Sequence, residues 1–387
     1  MEPQANAALT VAVPKETMPG ERRVALTPDV VRKLAAGFRF IVERDAGAAS
    51  SYLDQAYQDA GATIVTDAAT LYQQADIVVK VQRPTDEEIA LLKPGSILIA
   101  FLQPLVRPQL VVQLAERKVT AISMDAIPRI TRAQSMDALS SMSTVSGYKA
   151  VLHAANTLQK FFPLLMTAAG TIPPARVLIL GAGVAGLQAI ATARRLGAVV
   201  EAFDARPVVK EQVESLGASF VEFEVAPEEA EGAGGYAKEL SEEHIRREIA
   251  LIKDHAVRAD AIITTALVPG KPAPLLLPED TVQAMRPGSV IIDIAAESGG
   301  NCELTVPGET VVRHNVIIMG PLNLPSEMAT HASQMYARNV SALLEHLAPK
   351  GQLHVDLEDA ITGGVVLTRD GEVLHGPTRA WMKEGVA

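Results

Sequence analysis

The chain has 387 residues, of which 48% are hydrophobic and 21% are charged, so two globular domains are expected rather than one core or a disordered chain. Its formal net charge of −10 argues against nucleic acid or an anionic membrane surface as a partner, because both require clustered Lys and Arg. A single cysteine, Cys302, excludes an internal disulfide and a multi-cysteine metal site, and its neighbours Asn301 and Glu303 supply no activating base, so a structural thiol is expected.

The N-terminal segment and the apolar runs bear on membranes. Residues 1–8 contain neither a basic segment nor an apolar one, so we expect no signal peptide. The longest apolar runs, such as 96–102 and 289–296, are far shorter than the roughly 18 residues needed to cross a bilayer. We therefore expect a soluble, cytoplasmic chain that other proteins would have to hold at a membrane.

Short strands alternate with short helices over the first third of the chain. Thr27-Pro28-Asp29 is typical of a helix start, since Thr is a good N-cap and Pro suits the first helical position. Such alternation indicates βαβ units and a parallel sheet. The predicted strands are 8–13, 38–43, 63–65, 76–81, 97–100 and 119–123, and the predicted helices are 30–36, 54–60, 86–92 and 108–117.

A polar stretch over 128–147 interrupts this alternation, and taken alone it is typical of a solvated linker. One long helix over 148–165 is predicted after it. Residues 225–240 are acidic, contain glycines and show no apolar period, so we expect a mobile loop there. The strand–helix pattern restarts at Arg176, with predicted strands 177–180, 199–203, 261–264, 289–293 and 316–319 and predicted helices 184–196 and 326–346.

These patterns predict an α/β protein of two Rossmann-like domains with parallel sheets, the first completed by the C-terminal helix. The first domain is expected to be discontinuous, with residues 1–143 plus 327–387, and to be of the catalytic type. The second, residues 144–326, is expected to bind the nucleotide.

A glycine-rich motif supports that assignment, because it follows directly on the apolar strand 177–180 and opens a helix. In a GxGxxG pattern the first glycine allows a tight turn, the second lets the backbone approach a pyrophosphate, and the third lets the helix pack on the strand. The helix N-terminus adds N–H groups and a positive dipole end. The motif is Gly181-Ala182-Gly183-Val184-Ala185-Gly186.

The end of the next strand bears on which nucleotide binds. It finishes in Phe203-Asp204, and an acid there accepts hydrogen bonds from the adenosine ribose while repelling a 2′-phosphate. Arg206 points the other way, because an arginine there could bind that phosphate. Since the acid comes first on the strand end, NAD(H) is the predicted nucleotide.

Further segments resemble the alanine dehydrogenase/NAD(P) transhydrogenase family over roughly residues 8–345. They are Lys15-Glu16-Thr17, 21–28, 75–81 and Asp293-Ile294-Ala295.

Alanine dehydrogenases of that family bind a 2-oxo acid through an Arg, a Lys, a His and an Asp. Arg23 and Lys80 match the first two, whereas Gln103 stands at the His and Glu297 at the Asp. Because Gln cannot act as a general acid or base near neutral pH, the proton transfers of reductive amination are not supported.

The chain is most similar to the other branch, the NAD(H)-binding component (alpha subunit, domain I) of proton-translocating NAD(P) transhydrogenase. The mark of that branch is an Arg–Gln–Asp–Ser loop, found here within 128–141. The resemblance implies that the nicotinamide is surrounded by Arg129, Gln134, Asp137 and Ser140. It also implies nucleotide contacts from Ala205, Arg206, Ala266 and Leu267, and a loop tyrosine, Tyr236, that closes over the nucleotide.

This branch implies direct hydride transfer from NADH to NADP⁺ held by a separate NADP(H)-binding subunit. It further implies a membrane-spanning partner subunit, a homodimer, and a peripheral location at the cytoplasmic face of the inner membrane. Hydride transfer depends on placing two rings in contact and needs no general acid, base or metal, so no metal site is expected. The chain would be a separately encoded subunit or a piece of a longer one.

Two alternatives stay open. One is an alanine dehydrogenase-like, NAD-dependent amino-acid dehydrogenase, and the other is a non-catalytic NAD(H)-binding module.

Overall fold

The computed structural model describes residues 8–223 and 242–384. The chain divides into two compact units, Met1–Met142 with Ser326–Ala387, and Ser143–Pro325. The predicted boundaries differ from these divisions by one residue at each junction. Within the described ranges, no helix combines the length and apolar character needed to cross a bilayer.

Strands and helices alternate through both units. The strands in chain order are β1 (Leu9–Val13), β2 (Phe38–Glu43), β3 (Thr63–Val65), β4 (Ile77–Val79), β5 (Ile97–Ala100), β6 (Thr120–Ser123), β7 (Leu165–Thr167), β8 (Gly170–Ile172), β9 (Arg176–Leu180), β10 (Val199–Phe203), β11 (Ser219–Phe220), β12 (Ala261–Thr264), β13 (Val290–Asp293), β14 (Thr310–Arg313), β15 (Val316–Met319), β16 (Val366–Arg369) and β17 (Glu372–Val373). The α-helices are Pro28–Leu34, Asp54–Asp59, Ala68–Gln74, Asp86–Leu91, Pro108–Glu116, Ala138–Thr157, Val184–Arg195, Lys210–Ser215, Glu242–Ala256, Glu279–Ala284, Ala329–Leu347, Ala360–Val365 and Gly376–Glu384.

The first unit is built on one sheet with the order β17-β16-β6-β5-β4-β1-β2-β3. From β3 to β6 every neighbouring pair is parallel. The C-terminal segment adds more than the predicted helix, because β16 pairs antiparallel with β6 and β17 pairs antiparallel with β16. The prediction of a wholly parallel sheet is therefore wrong at this edge.

The second unit contains a sheet with the order β11-β10-β9-β12-β13-β15-β14. All pairs are parallel except β14 with β15. Numbered within each unit, the six parallel strands of both sheets follow the order 3-2-1-4-5-6, which is that of the Rossmann fold. The predicted α/β class is confirmed, with mixed rather than purely parallel sheets.

The sequence explains why these strands form the interior of a parallel sheet. β9 and β13 are runs of β-branched residues and leucine that are buried on both faces, as expected when helices cover both sides. Against β9 packs the helix Val184–Arg195, through the buried Ala189, Ile190 and Ala193.

The prediction for the middle of the chain is wrong in its placement. The long helix is Ala138–Thr157 rather than 148–165, and residues 165–172 form the antiparallel hairpin β7–β8. Asp137 explains the early start, because its side chain accepts the Ser140 N–H as an N-cap does. Pro163 disfavours helix at the residue before it, so the helix cannot extend to 165. The predicted loop 225–240 lies almost entirely outside the described residues, and Tyr236 lies outside them.

Candidate dinucleotide-binding site

The glycine loop connects β9 to the helix Val184–Arg195 and depends on missing side chains. Gly181 has φ +98°, and a methyl group there would lie 2.6 Å from the Thr265 hydroxyl. A methyl group on Gly186 would lie 1.8 Å from the Gly181 carbonyl oxygen, so the helix could not approach the strand as it does. A methyl group on Gly183 would meet no protein atom within 4 Å. Gly181 and Gly186 are thus required by packing, whereas packing does not explain Gly183.

The N-terminus of that helix suits an anion. Gly183 is the N-cap residue and no side chain caps the helix, so the first-turn N–H groups are not satisfied by a side-chain cap. Val184, the first helical residue, is 41% exposed. Ala182 lies one step earlier, and its N–H donates to Asp204 at 2.7 Å. Backbone donors at a positive helix end are a general phosphate-binding arrangement.

Asp204 follows β10 and is the charged centre of this site. Its carboxylate accepts hydrogen bonds from the Ala182 N–H, from the Arg206 N–H at 2.9 Å, and from the Arg206 guanidinium at 2.9 and 2.8 Å. The Asp204 side chain is 7% exposed and that of Arg206 is 16% exposed. Arg206 is therefore held by Asp204, and Ala205 lies half-buried between them.

Sequence reasoning missed a second carboxyl group close to Asp204. Glu248, in the helix Glu242–Ala256, is 9% exposed, and burial followed by the charge of Asp204 raises its pKa to about 7. The available signal was spacing, because Glu248 stands four and eight residues before the buried Ile252 and Ala256 and so shares their apolar face.

The loop after β12 approaches the glycine loop from the other side. The Thr265 hydroxyl donates to the Gly181 carbonyl oxygen at 3.1 Å. Ala266 is half-buried and Leu267 is 41% exposed. The structure thus brings Gly181, Gly183, Gly186, Asp204 and Ala266 to the carboxyl-end edge of one sheet.

The predicted nicotinamide residues lie at the start of the helix Ala138–Thr157 and in the segment before it. Arg129 and Gln134 are exposed, Gln134 within the 3₁₀ segment Thr131–Met136. Asp137 accepts the Ser140 N–H at 2.8 Å and the Ser140 hydroxyl at 2.6 Å. The structure joins Asp137 and Ser140 directly, so their geometry also stabilises the helix start.

Arg23 and Lys80 are buried cations of the first unit, each with acidic partners. Lys80 is fully buried and contacts Glu88 at 2.6 Å and Glu16 at 3.5 Å. Burial raises the pKa of Glu16 to about 7, although the Lys80 charge opposes this. Burial would also raise the pKa of Glu21, but the hydrogen bonds and charge of Arg23 outweigh burial and lower it to about 2.

Comparison with known proteins places this geometry. The family model described as alanine dehydrogenase/PNT, C-terminal domain, matches residues 150–376, and the corresponding N-terminal domain model matches residues 12–146. The chain belongs to the alanine dehydrogenase/PNT family. The resemblance inferred from the sequence motifs is thereby confirmed.

Individual relatives come from both branches of this family. The chain is 50% identical over 383 residues to an NAD(P) transhydrogenase subunit alpha chain of Rhodospirillum rubrum, covering 95% of this chain and 98% of that one. It is 29% identical to alanine dehydrogenase of Bacillus subtilis, covering 95% and 93%. A crystal structure of transhydrogenase from Sinorhizobium meliloti superposes with TM-score 0.86 at 42% identity, covering 94% of this chain and 99% of that one.

Gln103 and Glu297 stand where alanine dehydrogenases of the family were expected to carry His and Asp. Gln103 has φ +52°, and its N–H donates to Asp125 at 2.8 Å. Glu297 is exposed and accepts the Asn323 N–H at 3.1 Å. The Gln103 side chain has no titratable proton, so it cannot serve as the acid–base group of that branch.

Cys302 is buried, and burial raises its pKa to about 11, so it is a poor nucleophile near neutral pH. In the described ranges, no group of three or more His, Cys, Asp or Glu residues is placed to hold a metal ion.

Proposed function

We propose that this chain is the NAD(H)-binding component of proton-translocating NAD(P) transhydrogenase, in which NADH gives its hydride directly to NADP⁺ on a partner subunit. The observation that carries the proposal is 50% identity to a transhydrogenase alpha subunit along almost the full length of both chains. The geometry of Gly181, Gly183, Gly186 and Asp204 supports it, because it suits a dinucleotide without a 2′-phosphate.

The second unit would hold the nucleotide through its backbone. The first-turn N–H groups of the helix Val184–Arg195 would bind the pyrophosphate, and Asp204 would accept hydrogen bonds from the adenosine ribose. Asp204 already holds Arg206, so the arginine is not presented to a 2′-phosphate. NAD(H) is therefore the proposed substrate, and NADP(H) the substrate of the partner.

Positioning would account for the rate of the reaction. Arg129, Gln134, Asp137 and Ser140 are proposed to orient the nicotinamide carboxamide and ribose, which present donors and acceptors of complementary type. NADH supplies the hydride, and the two reacting carbons must approach to about 3–3.5 Å. No proton moves in that step, which agrees with a glutamine at position 103.

The proposed assembly includes an NADP(H)-binding subunit, a membrane-spanning subunit and a second copy of this chain. The exposed apolar side chains of the β7–β8 region support a homodimer, since Phe161, Leu164 and Met166 are 53%, 53% and 79% exposed. Through those partners the chain would lie at the cytoplasmic face of the inner membrane.

Tyr236 is proposed to close over bound NADH, on the resemblance alone. Tyr236→Asn should weaken NADH binding and leave the fold intact. Unchanged NADH affinity, measured by fluorescence titration, would contradict the lid.

Two reaction mixtures test the function. In the first, the chain is mixed with NADH, pyruvate and ammonia; in the second, with NADH, NADP⁺ and an NADP(H)-binding transhydrogenase subunit. We expect NADH oxidation in the second mixture alone. Oxidation in the first would support an alanine dehydrogenase-like enzyme, which the buried cations Arg23 and Lys80 favour. Activity in neither would leave an NAD(H)-binding module.

A further inference from the structure

We propose that Asn301 is a positioning residue that holds the loop 265–277 beside the nicotinamide half of the nucleotide. The proposal rests on the proposed function, because it concerns how the second unit binds NADH. Asn301 carries no chemistry of its own and would act through the loop.

The topology determines which half of the nucleotide this loop meets. The loop begins where β12 ends, and β12 and β10 lie on opposite sides of β9. In a sheet of this order the dinucleotide lies across the carboxyl ends, with one mononucleotide on each side of the first strand. Asp204, after β10, marks the adenosine side. The loop after β12 is therefore on the nicotinamide side.

The loop is in direct contact with the glycine loop. The Thr265 N–H donates to the Leu180 carbonyl oxygen at 2.8 Å, and the Thr265 hydroxyl donates to that of Gly181 at 3.1 Å. A methyl group on Gly181 would lie 3.2 Å from the Ala266 nitrogen. A shift of residues 265–266 would thus be felt at the glycine loop as well as in the loop itself.

The Asn301 side chain fastens both the start and the end of this loop. Its Oδ1 accepts the Ala266 N–H at 3.1 Å, while its Nδ2 donates to the Ala266 carbonyl oxygen at 2.9 Å and to that of Pro274 at 2.8 Å. The residue is fully buried. An amide is suited to this position because it offers one acceptor and two donors in one plane.

The main chain of Asn301 is fixed in turn. Its N–H donates to Asp293 Oδ2 at 2.9 Å, and its carbonyl oxygen accepts the N–H groups of Leu276 and Leu277 at 2.9 and 3.0 Å. Asp293 lies at the end of β13 and is fully buried, so the anchor belongs to the sheet itself. The chain of contacts therefore runs from the sheet through Asn301 to the loop.

Two substitutions break this arrangement in different ways. Asn301→Ala leaves the N–H and carbonyl of Ala266 without their side-chain partner. Asn301→Asp keeps the acceptor but turns a carboxylate oxygen toward the Ala266 and Pro274 carbonyl oxygens, which repel it. Ile318→Val is the matched control, because Ile318 lies in the same hydrophobic core, on β15, and forms no hydrogen bond with the loop.

The full chain is titrated with NADH and, separately, with ADP, which lacks the nicotinamide half. Amide hydrogen exchange of residues 265–277 is followed without nucleotide. For Asn301→Ala and Asn301→Asp we expect NADH binding at least tenfold weaker, ADP binding changed less than threefold, and faster exchange in the loop. A residue with a merely structural role would weaken both ligands equally, as would a general loss of stability, and the control should move neither.

Equal losses for NADH and ADP, or unchanged NADH affinity despite faster exchange, would overturn the proposal. Thr265→Val is a milder second variant in case the Asn301 variants do not fold; it should weaken NADH at least threefold with ADP unchanged, and an unchanged ratio would also overturn the proposal. A wild-type chain that binds no NADH would remove the proposed function itself, whereas wild-type binding with unselective variants would remove only the role of Asn301.

Discussion

Asp204→Asn tests the choice of nucleotide in a way that can be worked from the structure. The substitution removes the charge that holds the Arg206 guanidinium at 2.8 and 2.9 Å. It also removes the repulsion that a 2′-phosphate would meet, which for unit charges about 4 Å apart at an effective dielectric near 20 is about 4 kcal/mol. Halving this for salt and solvent leaves about 2 kcal/mol, or roughly a 30-fold change in relative affinity.

The assay is a pair of titrations, with NADH and with NADPH, on the wild type and the variant. We expect NADH to bind more weakly, NADPH to bind more tightly, and their ratio to shift by roughly 30-fold or more. Glu201→Gln is the control, since that carboxylate lies on β10 but pairs with His255. If NADH affinity fell with no gain for NADPH, Arg206 would not be a latent phosphate ligand and the electrostatic reasoning would be refuted.

Three further predictions concern single residues. Gly183→Ala should leave thermal unfolding almost unchanged but weaken NADH binding, whereas Gly186→Ala should also destabilise the fold by about 1–3 kcal/mol, because its methyl group would overlap the Gly181 carbonyl; calorimetry and NADH titration separate the two, and equal unfolding temperatures would contradict the packing argument. The raised pKa of Glu248, about 7 against 4.5, means that the folded state loses stability as pH rises between these values; Glu248→Gln should stabilise the protein at pH 8 by up to roughly 3 kcal/mol and far less near pH 5, and a pH-independent effect in urea unfolding would count against it. Cys302 should react with a thiol reagent only as fast as the protein unfolds, and rapid labelling in native buffer would show that it is accessible.

The local signals in the sequence predicted most strands well. The short apolar runs at β2, β5, β10 and β15 were placed within a residue, because parallel strands buried on both faces are continuous apolar segments bounded by polar residues. The GxGxxG motif identified its loop for a similar reason, since its glycines are required by contacts close in sequence.

Other features depend on contacts that no local pattern reports. The strand β16 was missed because its pairing with β6 joins distant segments of the chain. Asn301 was passed over as a mere neighbour of Cys302, although its partner Ala266 is 35 residues away. The roles of Arg129 and Gln134 stay predictions, because exposed polar side chains do not by themselves indicate a ligand.

The late strand β16 has a consequence for how the protein is made. Ala121 on β6 donates to the Thr368 hydroxyl, 247 residues further on, so β6 has no neighbour on that edge until the ribosome has nearly finished residues 366–369. The second unit, Ser143–Pro325, is complete long before then and can fold first. The first unit meanwhile presents an unpaired edge strand, which is the kind of surface that chaperones protect and that seeds aggregation. Chaperone demand during synthesis should therefore depend more on the C-terminal residues of the chain than on the nucleotide-binding motif at its centre.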